Sequence, residues 1–221
     1  MPLATFEALF NQYYSPTFFH ALKREDVQGQ AVAWNAYASA YIPASILVGI
    51  YIISSGPFLT ALFLGKNFQN VSSILIWPAM TETLRVINSS QHFLGIAKID
   101  MKVTIMPVCI GAIVATIGIF ILAPIDPLNG TGIALFLAMI AVLIVIIFSS
   151  VRALPVKWPV RRIVYAFLLS LPLFISMKVV AVNMDRITIG ESLIVLIIGG
   201  LYLVLAEYIL ARRWLRDIKY K

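Results

Sequence analysis

One stretch of the sequence places four chemically useful side chains on the same side of a helix. Glu82, Arg85, Ser89 and His92 follow one another at intervals of three, four and three residues, so they share one narrow helical face. A guanidinium binds phosphate or carboxylate through paired hydrogen bonds. The face is therefore predicted to line a polar path for an anionic ligand, whereas His92 is better interpreted as an interfacial residue than as a proton-sensing group.

The same spacing has a simpler interpretation. Glu82 and Arg85 stand three residues apart, which allows them to neutralise each other on one helix. A pair kept only for neutrality gains little over two apolar residues, because loss of hydration offsets much of the attraction. We therefore favour the ligand path and keep mutual neutralisation as the alternative.

The segments that must position these residues are those of a membrane protein. Of the 221 residues, 61% are hydrophobic and 12% are charged, whereas soluble domains have roughly 45–50% and 25%. Charge-poor runs of the length that crosses a bilayer occur six times. They predict an all-α polytopic membrane helix bundle that forms a single membrane domain over 1–221, with Gly56-Pro57 predicting a kink or an early stop in the first span. The six spans are expected at about 34–64, 71–97, 103–122, 132–151, 163–182 and 192–211.

The net charge of +7 is distributed unequally between the two sides of these spans. Arg85 lies inside the second span, and only Lys66, Lys178 and Arg186 fall on one side. The positive-inside rule places the opposite side, which includes the C-terminal tail, in the cytoplasm. The chain is therefore expected in the cytoplasmic (inner) membrane. Because the basic residues border apolar segments, nucleic acid is not expected as a partner. The basic residues on the predicted cytoplasmic side are Lys23, Arg24, Lys98, Lys102, Arg152, Lys157, Arg161, Arg162, Arg212, Arg213, Arg216, Lys219 and Lys221.

The first 22 residues differ from the other segments. They lack the basic start and small-residue cleavage site of a signal peptide, and they combine Glu7 with six aromatic residues. They form either an amphipathic helix in the membrane interface or the inner half of a membrane helix whose outer half is missing. Lys23 and Arg24 follow directly and favour the second interpretation, so 1–22 is expected to be the remnant of a truncated helix.

Several motifs at loops and span ends resemble a known family. The segment 62–68, Leu-Phe-Leu-Gly-Lys-Asn-Phe, resembles the Leu-Phe-Gly-x-x-Tyr element of the polysaccharide and lipid-linked oligosaccharide flippases. These belong to the multidrug/oligosaccharidyl-lipid/polysaccharide exporter superfamily. Phe68 stands where tyrosine is usual. The segments 14–16, 122–124 and 130–134 are similar to neighbouring elements of that family, in the same order.

The resemblance extends over nearly the whole chain and aligns it with the C-terminal half of a protein of about fourteen spans. It implies that an N-terminal lobe is missing. It also implies a non-enzymatic flippase that moves a polyprenyl-linked oligosaccharide across the cytoplasmic membrane by alternating access. Its partners would be the bilayer and the lipid-linked sugar. A further expectation is that the last two helices form a groove for the polyprenyl tail.

Three other functions compete with this one. The lobe of a cation-coupled multidrug exporter would carry cavity carboxylates and few arginines, and a non-transporting membrane scaffold would be better served by an apolar second helix. An intramembrane glycosyltransferase would need acidic loops. The sequence has no glycine-rich phosphate loop, no Cys or His cluster at metal spacing and no Ser, His and Asp set, so no catalytic residue, metal or cofactor is predicted. Glu207 either pairs with Arg212 or Arg213 or faces a groove, and we favour the pair.

Overall fold

The protein is described here by a computed structural model, which covers residues 2–22, 27–64, 74–90, 101–153, 157–183 and 188–219. Over these ranges the regular secondary structure is helical, which confirms the predicted all-α fold. The helices are α1 (Pro2–Leu22), α2 (Val27–Phe63), α3 (Ile76–Ser89), α4 (Met101–Leu122), α5 (Pro127–Ala153), α6 (Val160–Asn183) and α7 (Ile189–Lys219).

Five of the described helices are long and apolar enough to cross a membrane. Their candidate spans are Val27–Phe63, Ile105–Leu122, Pro127–Ser149, Val160–Val182 and Ile189–Arg212, which match five of the six predicted runs. α2 continues through Gly56 and Pro57 to Phe63, so of the two alternatives expected there the early stop does not occur, and the kink stays a prediction.

The second predicted span is the exception. Its described part, α3, has 14 residues, which is about 21 Å of helix against about 30 Å of hydrocarbon. The predicted segment extends at both ends into residues outside the described ranges, so this crossing stays a prediction.

The chain divides into two compact units. The first contains Met1–Ile42 and Thr81–Pro159, and the second contains Pro43–Met80 and Val160–Lys221. The division falls within α2 and α3, so each of these helices contributes to both units. The expectation of a single membrane domain over 1–221 stays a prediction.

In the first unit, α4 and α5 form a tightly packed antiparallel hairpin. A Cβ atom added to Gly118 would lie 2.9 Å from the Cβ of Ala134, so the small residue is what permits this close approach. The turn between the helices ends at Asp126, whose Oδ1 accepts hydrogen bonds from the backbone N–H groups of Leu128 and Asn129. This carboxylate caps the first turn of α5.

In the second unit, α2 packs on α6 and α7 through an apolar core. Phe58 and Ala61 of α2 meet Leu173 and Met177 of α6. The polar atoms here are satisfied by backbone carbonyls: the Tyr51 hydroxyl donates to Leu196 O at 2.9 Å, and the Tyr202 hydroxyl donates to Leu169 O at 2.6 Å. The core therefore contains tyrosine without leaving these hydroxyls unpaired.

Candidate functional site

The polar face of α3 carries a three-residue ion cluster in the first unit. Arg85 donates from Nε to Glu82 Oε2 at 2.8 Å and from Nη2 to Glu82 Oε1 at 2.9 Å. Its Nη2 also donates to Glu7 Oε2 of α1 at 2.8 Å. The neutralising pair that the spacing allowed is thus present. A second carboxylate, 78 residues away in sequence, was not anticipated.

Aromatic packing between α1 and α2 holds Glu7 in this position. The ring of Phe10 lies 5.1 Å from that of Tyr41 and 5.9 Å from that of Tyr37. The Tyr37 hydroxyl donates to Asn11 Oδ1 at 2.7 Å. Glu7 and Asn11 are four residues apart, so they share a helical face. The aromatic residues of α1 were recognised in the sequence, but their partners on α2 were not.

The cluster has two carboxylates for one guanidinium, which gives it a formal charge of −1 when all three groups are ionised. The side chain of Arg85 is 41% exposed, against 24% for Glu82 and 16% for Glu7. Both carboxylates bond to Nε and Nη2, and Nη1 has no hydrogen-bond partner among the described residues. A guanidinium has five N–H donors, so the two on Nη1 are available to a ligand.

Arg85 lines a cavity of about 360 Å³ in the first unit. α3 contributes the polar side chains Arg85, Asn88 and Ser89, whereas α4 and α5 contribute apolar or small residues such as Val108, Gly111, Ala138 and Val142. The cavity is therefore polar at α3 and apolar along the other two helices. Such a surface suits a molecule with a polar head and an apolar chain.

Asn88 is a second polar residue of this cavity. It is only 9% exposed, and its Nδ2 donates to Met139 O of α5 at 3.2 Å. Its Oδ1 is buried without a hydrogen-bond partner in the described part of the chain. An unpaired buried acceptor is costly. A donor group that reached Asn88 Oδ1 would therefore gain a favourable hydrogen bond. Asn88 was not among the site residues predicted from the sequence.

The remaining predicted site residues have different outcomes. Ser89 lines the cavity, and its Oγ donates to Val86 O at 2.7 Å and lies 3.3 Å from the hydroxyl of Tyr41. His92 lies outside the described residues. The structure therefore brings Glu82, Arg85 and Ser89 together, and the position of His92 stays a prediction.

Glu207 of α7, in the second unit, does not make the expected pair with Arg212. Its Oε1 is buried and has no hydrogen-bond partner among the described residues, while Arg212 is exposed. The reason is helical spacing: side chains meet at three and four residues, positions occupied here by Leu210 and Ala211. The Arg213 side chain lies outside the described part.

The second unit also contains an apolar cavity of about 330 Å³ between α6 and α7. Pro172, Leu173 and Val180 of α6 face Val195 and Gly199 of α7 across it. Ser176 Oγ, at the same wall, donates to Leu173 O at 3.0 Å. The cavity lies between the two helices for which a lipid groove was expected.

Comparisons with known proteins identify no relative. No family model matches the chain, and neither a curated protein nor a solved structure matches it significantly. Within the described ranges, His, Cys, Asp and Glu form no group of three or more able to hold a metal ion.

Proposed function

We propose that this chain is the substrate-binding lobe of a membrane transporter for a lipid-linked, anionic oligosaccharide, with a polyprenyl-linked sugar as the substrate class. The observation that carries the proposal is the cavity beside Arg85, which has a cationic, hydrogen-bonding side and apolar walls. It belongs to a chain with five helices suited to cross a bilayer. Motifs that resemble those of lipid-linked oligosaccharide flippases support the same function.

The ion cluster supports a specific way of binding the anionic group. Glu82 holds Arg85 through two hydrogen bonds, whereas Glu7 holds it through one. A phosphate that meets the free Nη1 donors and replaces Glu7 on Nη2 would form the paired contact that guanidinium favours. Glu82 would then position the fork, and Glu7 would be the counter-ion that the substrate displaces.

The uncharged parts of such a substrate match the other lining residues. A sugar hydroxyl would supply the donor that Asn88 Oδ1 lacks, and Ser89 would add a hydroxyl contact. The isoprenoid chain would lie along the apolar walls that α4 and α5 contribute to the same cavity. No bond of the substrate is broken, since the chain acts as a non-enzymatic flippase by alternating access.

Transport is best tested in liposomes that contain the full chain and a fluorescent polyprenyl diphosphate disaccharide. Reduction of the dye from outside measures how much substrate changes leaflet. We expect Arg85→Ala to lose most transport and Arg85→Lys to retain part of it, because lysine keeps the charge but not the planar fork. Arg212→Gln, which removes an arginine outside the cavity, is the matched control.

A triple substitution separates binding from mere neutralisation. Glu7→Gln, Glu82→Gln and Arg85→Gln together remove the cluster without leaving any of the three side chains charged. If the cluster only neutralises itself, this variant regains both membrane expression and transport. Under our proposal it regains expression alone, so recovered flipping would refute the role of Arg85 in substrate binding.

The excess of carboxylates supports a second candidate, the lobe of a cation-coupled multidrug exporter. Two carboxylates around one guanidinium favour a cation over an anion if Arg85 stays paired. Ethidium and the polyprenyl diphosphate disaccharide distinguish the two functions in the same liposomes. Transport of ethidium that requires Glu7 and Glu82, without movement of the lipid-linked sugar, would establish the exporter.

The topology is part of the proposal. The excess of basic residues on one side supports a cytoplasmic C-terminus in the inner membrane. With Cys109 removed, a cysteine at Lys98 or Lys219 should resist an impermeant thiol reagent in intact cells, whereas one at Asn129 should react. Labelling of position 219 from outside would reverse the assigned orientation.

A further inference from the structure

Glu207 differs from every other acidic side chain that the structure describes. Glu7 and Glu82 bind Arg85, Asp126 caps α5, and Glu191 accepts hydrogen bonds from Thr188. Glu207 has a buried Oε1 with no hydrogen-bond partner in the described part of the chain. Of the five carboxyl side chains that the structure describes, which do not include Asp217, four have a partner and Glu207 does not.

The surroundings of Glu207 are apolar. It lies within the candidate span Ile189–Arg212, about 7.5 Å along the helix before Arg212. The preceding Ala206 is buried, while Val204 and Leu205 are exposed hydrophobic residues of the same span. In a bilayer such exposed residues meet lipid, so neither side of α7 here offers the carboxyl bulk water.

The titratable groups at the level of Glu207 follow from the helix register. Gly199 lies near Leu173, and Tyr202 bonds to Leu169, so α6 and α7 run antiparallel and Glu207 is level with the start of α6. Pro43–Ile50, the corresponding part of α2, has no titratable side chain. The titratable groups on α6 and α7 near this level are Arg161, Arg162 and Tyr165, with Tyr202, Tyr208 and Arg212.

None of these groups donates a hydrogen bond to Oε1 of Glu207. Tyr202 donates to Leu169 O, Tyr208 is 62% exposed, and Arg161 is exposed and lies 5.7 Å from the centre of the Tyr165 ring. No described cation makes an ion pair with the Glu207 carboxyl. An ionised carboxylate without a counter-ion or water is strongly disfavoured in apolar surroundings, so the neutral acid is the stable form.

We propose that Glu207 is a proton-binding site, occupied in the arrangement described here and emptied when water or a cation reaches its carboxyl. Such a group links proton uptake to any movement that changes its surroundings. The inference depends on the second unit alone and holds whatever the substrate of the cavity beside Arg85.

Carbodiimide labelling tests this site in the full chain, purified in detergent or lipid nanodiscs. The apolar reagent dicyclohexylcarbodiimide takes the proton of a neutral carboxyl on one nitrogen while the carboxylate oxygen bonds to the central carbon. The adduct then rearranges to a stable acylurea without loss of atoms. Glu191 is the matched control, because it lies on the same helix but binds Thr188 near water.

We expect peptide mass spectrometry to find Glu207 labelled at least tenfold more than Glu191 at pH 6, with labelling that falls as the pH is raised to 9. A water-soluble carbodiimide should reverse the preference. Glu207→Gln should remove the modified peptide, but the main comparison uses the unaltered chain and does not depend on that variant folding. Equal labelling of the two residues, no labelling of Glu207, or labelling independent of pH would overturn the proposal.

Discussion

Glu82 of α3 and Glu207 of α7 each precede an arginine on the same helix, yet among the described residues only Glu82 is paired with one. Glu82 is three residues before Arg85 and forms two hydrogen bonds with it. Glu207 is five residues before Arg212 and forms none with it; its Oε1 is buried without a hydrogen-bond partner in the part of the chain that the structure describes. Two extra residues rotate the arginine away from the carboxylate, since a helix turns about 100° per residue. The difference in spacing explains why Glu82 belongs to a charged cluster whereas Glu207 does not pair with Arg212.

The largest effect is expected from removing the cation of the cluster. Arg85→Ala leaves Glu7 and Glu82 as two neighbouring carboxylates and should lower the free energy of unfolding by about 2–4 kcal/mol, less than a fully buried pair because Arg85 is 41% exposed. Thermal unfolding in detergent measures this loss. Adding Glu7→Gln and Glu82→Gln should restore most of it. If the triple variant is as unstable as Arg85→Ala, repulsion between the carboxylates is not the cause.

These two sites also show what the sequence predicts and what it leaves open. The spacing of Glu82, Arg85 and Ser89 gave their common face, because helix geometry alone determines it. Glu7 joins Arg85 only through the packing of Phe10 on Tyr37 and Tyr41. Such contacts between distant segments leave no periodic signal. Hydropathy predicted six spans, five of which match described helices, because hydropathy, like the helical face, is a local property of the sequence.

Two structural features expected from the sequence, the pair of Glu207 with Arg212 and a stop of α2 at Gly56-Pro57, are not observed. Glu207 does not pair with Arg212, because an offset of five residues exceeds the three or four at which helical side chains meet. The stop expected at Gly56-Pro57 did not occur, although a proline removes one helical hydrogen bond. α2 continues for six residues beyond Pro57, and Phe58 and Ala61 in that stretch pack against α6. Tertiary packing therefore overrides the local signal there.

The next largest effect is expected when each of the two glutamates is replaced by glutamine and the losses of stability are compared. Glu82→Gln loses charge-assisted hydrogen bonds to Arg85 and should cost about 1.5–3 kcal/mol of unfolding free energy. Glu207→Gln replaces a neutral acid by a neutral amide of similar shape and should cost less than about 1 kcal/mol. Both are measured by thermal unfolding at pH 7. A larger loss at position 207 than at position 82 would mean that Glu207 is ionised and paired.

A smaller effect should follow from giving Glu207 the partner that the spacing denies it. Ala211→Arg places a cation four residues after the carboxyl, an arrangement that contributes about 0.3–0.5 kcal/mol on an exposed helix. Labelling of Glu207 by dicyclohexylcarbodiimide should then decrease. Ile209→Arg, which puts the same cation on another face, is the control. An equal decrease in both variants would point to a general change of the helix end.

The smallest effect concerns Asp126, an exposed carboxylate whose partners are local. The Asn129 side chain donates to Oδ2 at 2.8 Å, and this bond, with the backbone N–H of Asn129, lowers the pKa of Asp126 below its ordinary value of 3.8. Because the folded-state pKa is the lower one, the cap stabilises α5 fully above about pH 4 and is lost as the pH falls through the folded-state pKa. Thermal unfolding between pH 5 and 2.5 should therefore show a decline that is weaker in Asp126→Asn, which keeps the acceptor oxygen but does not titrate. An identical decline in the two proteins would assign the acid sensitivity to other carboxylates.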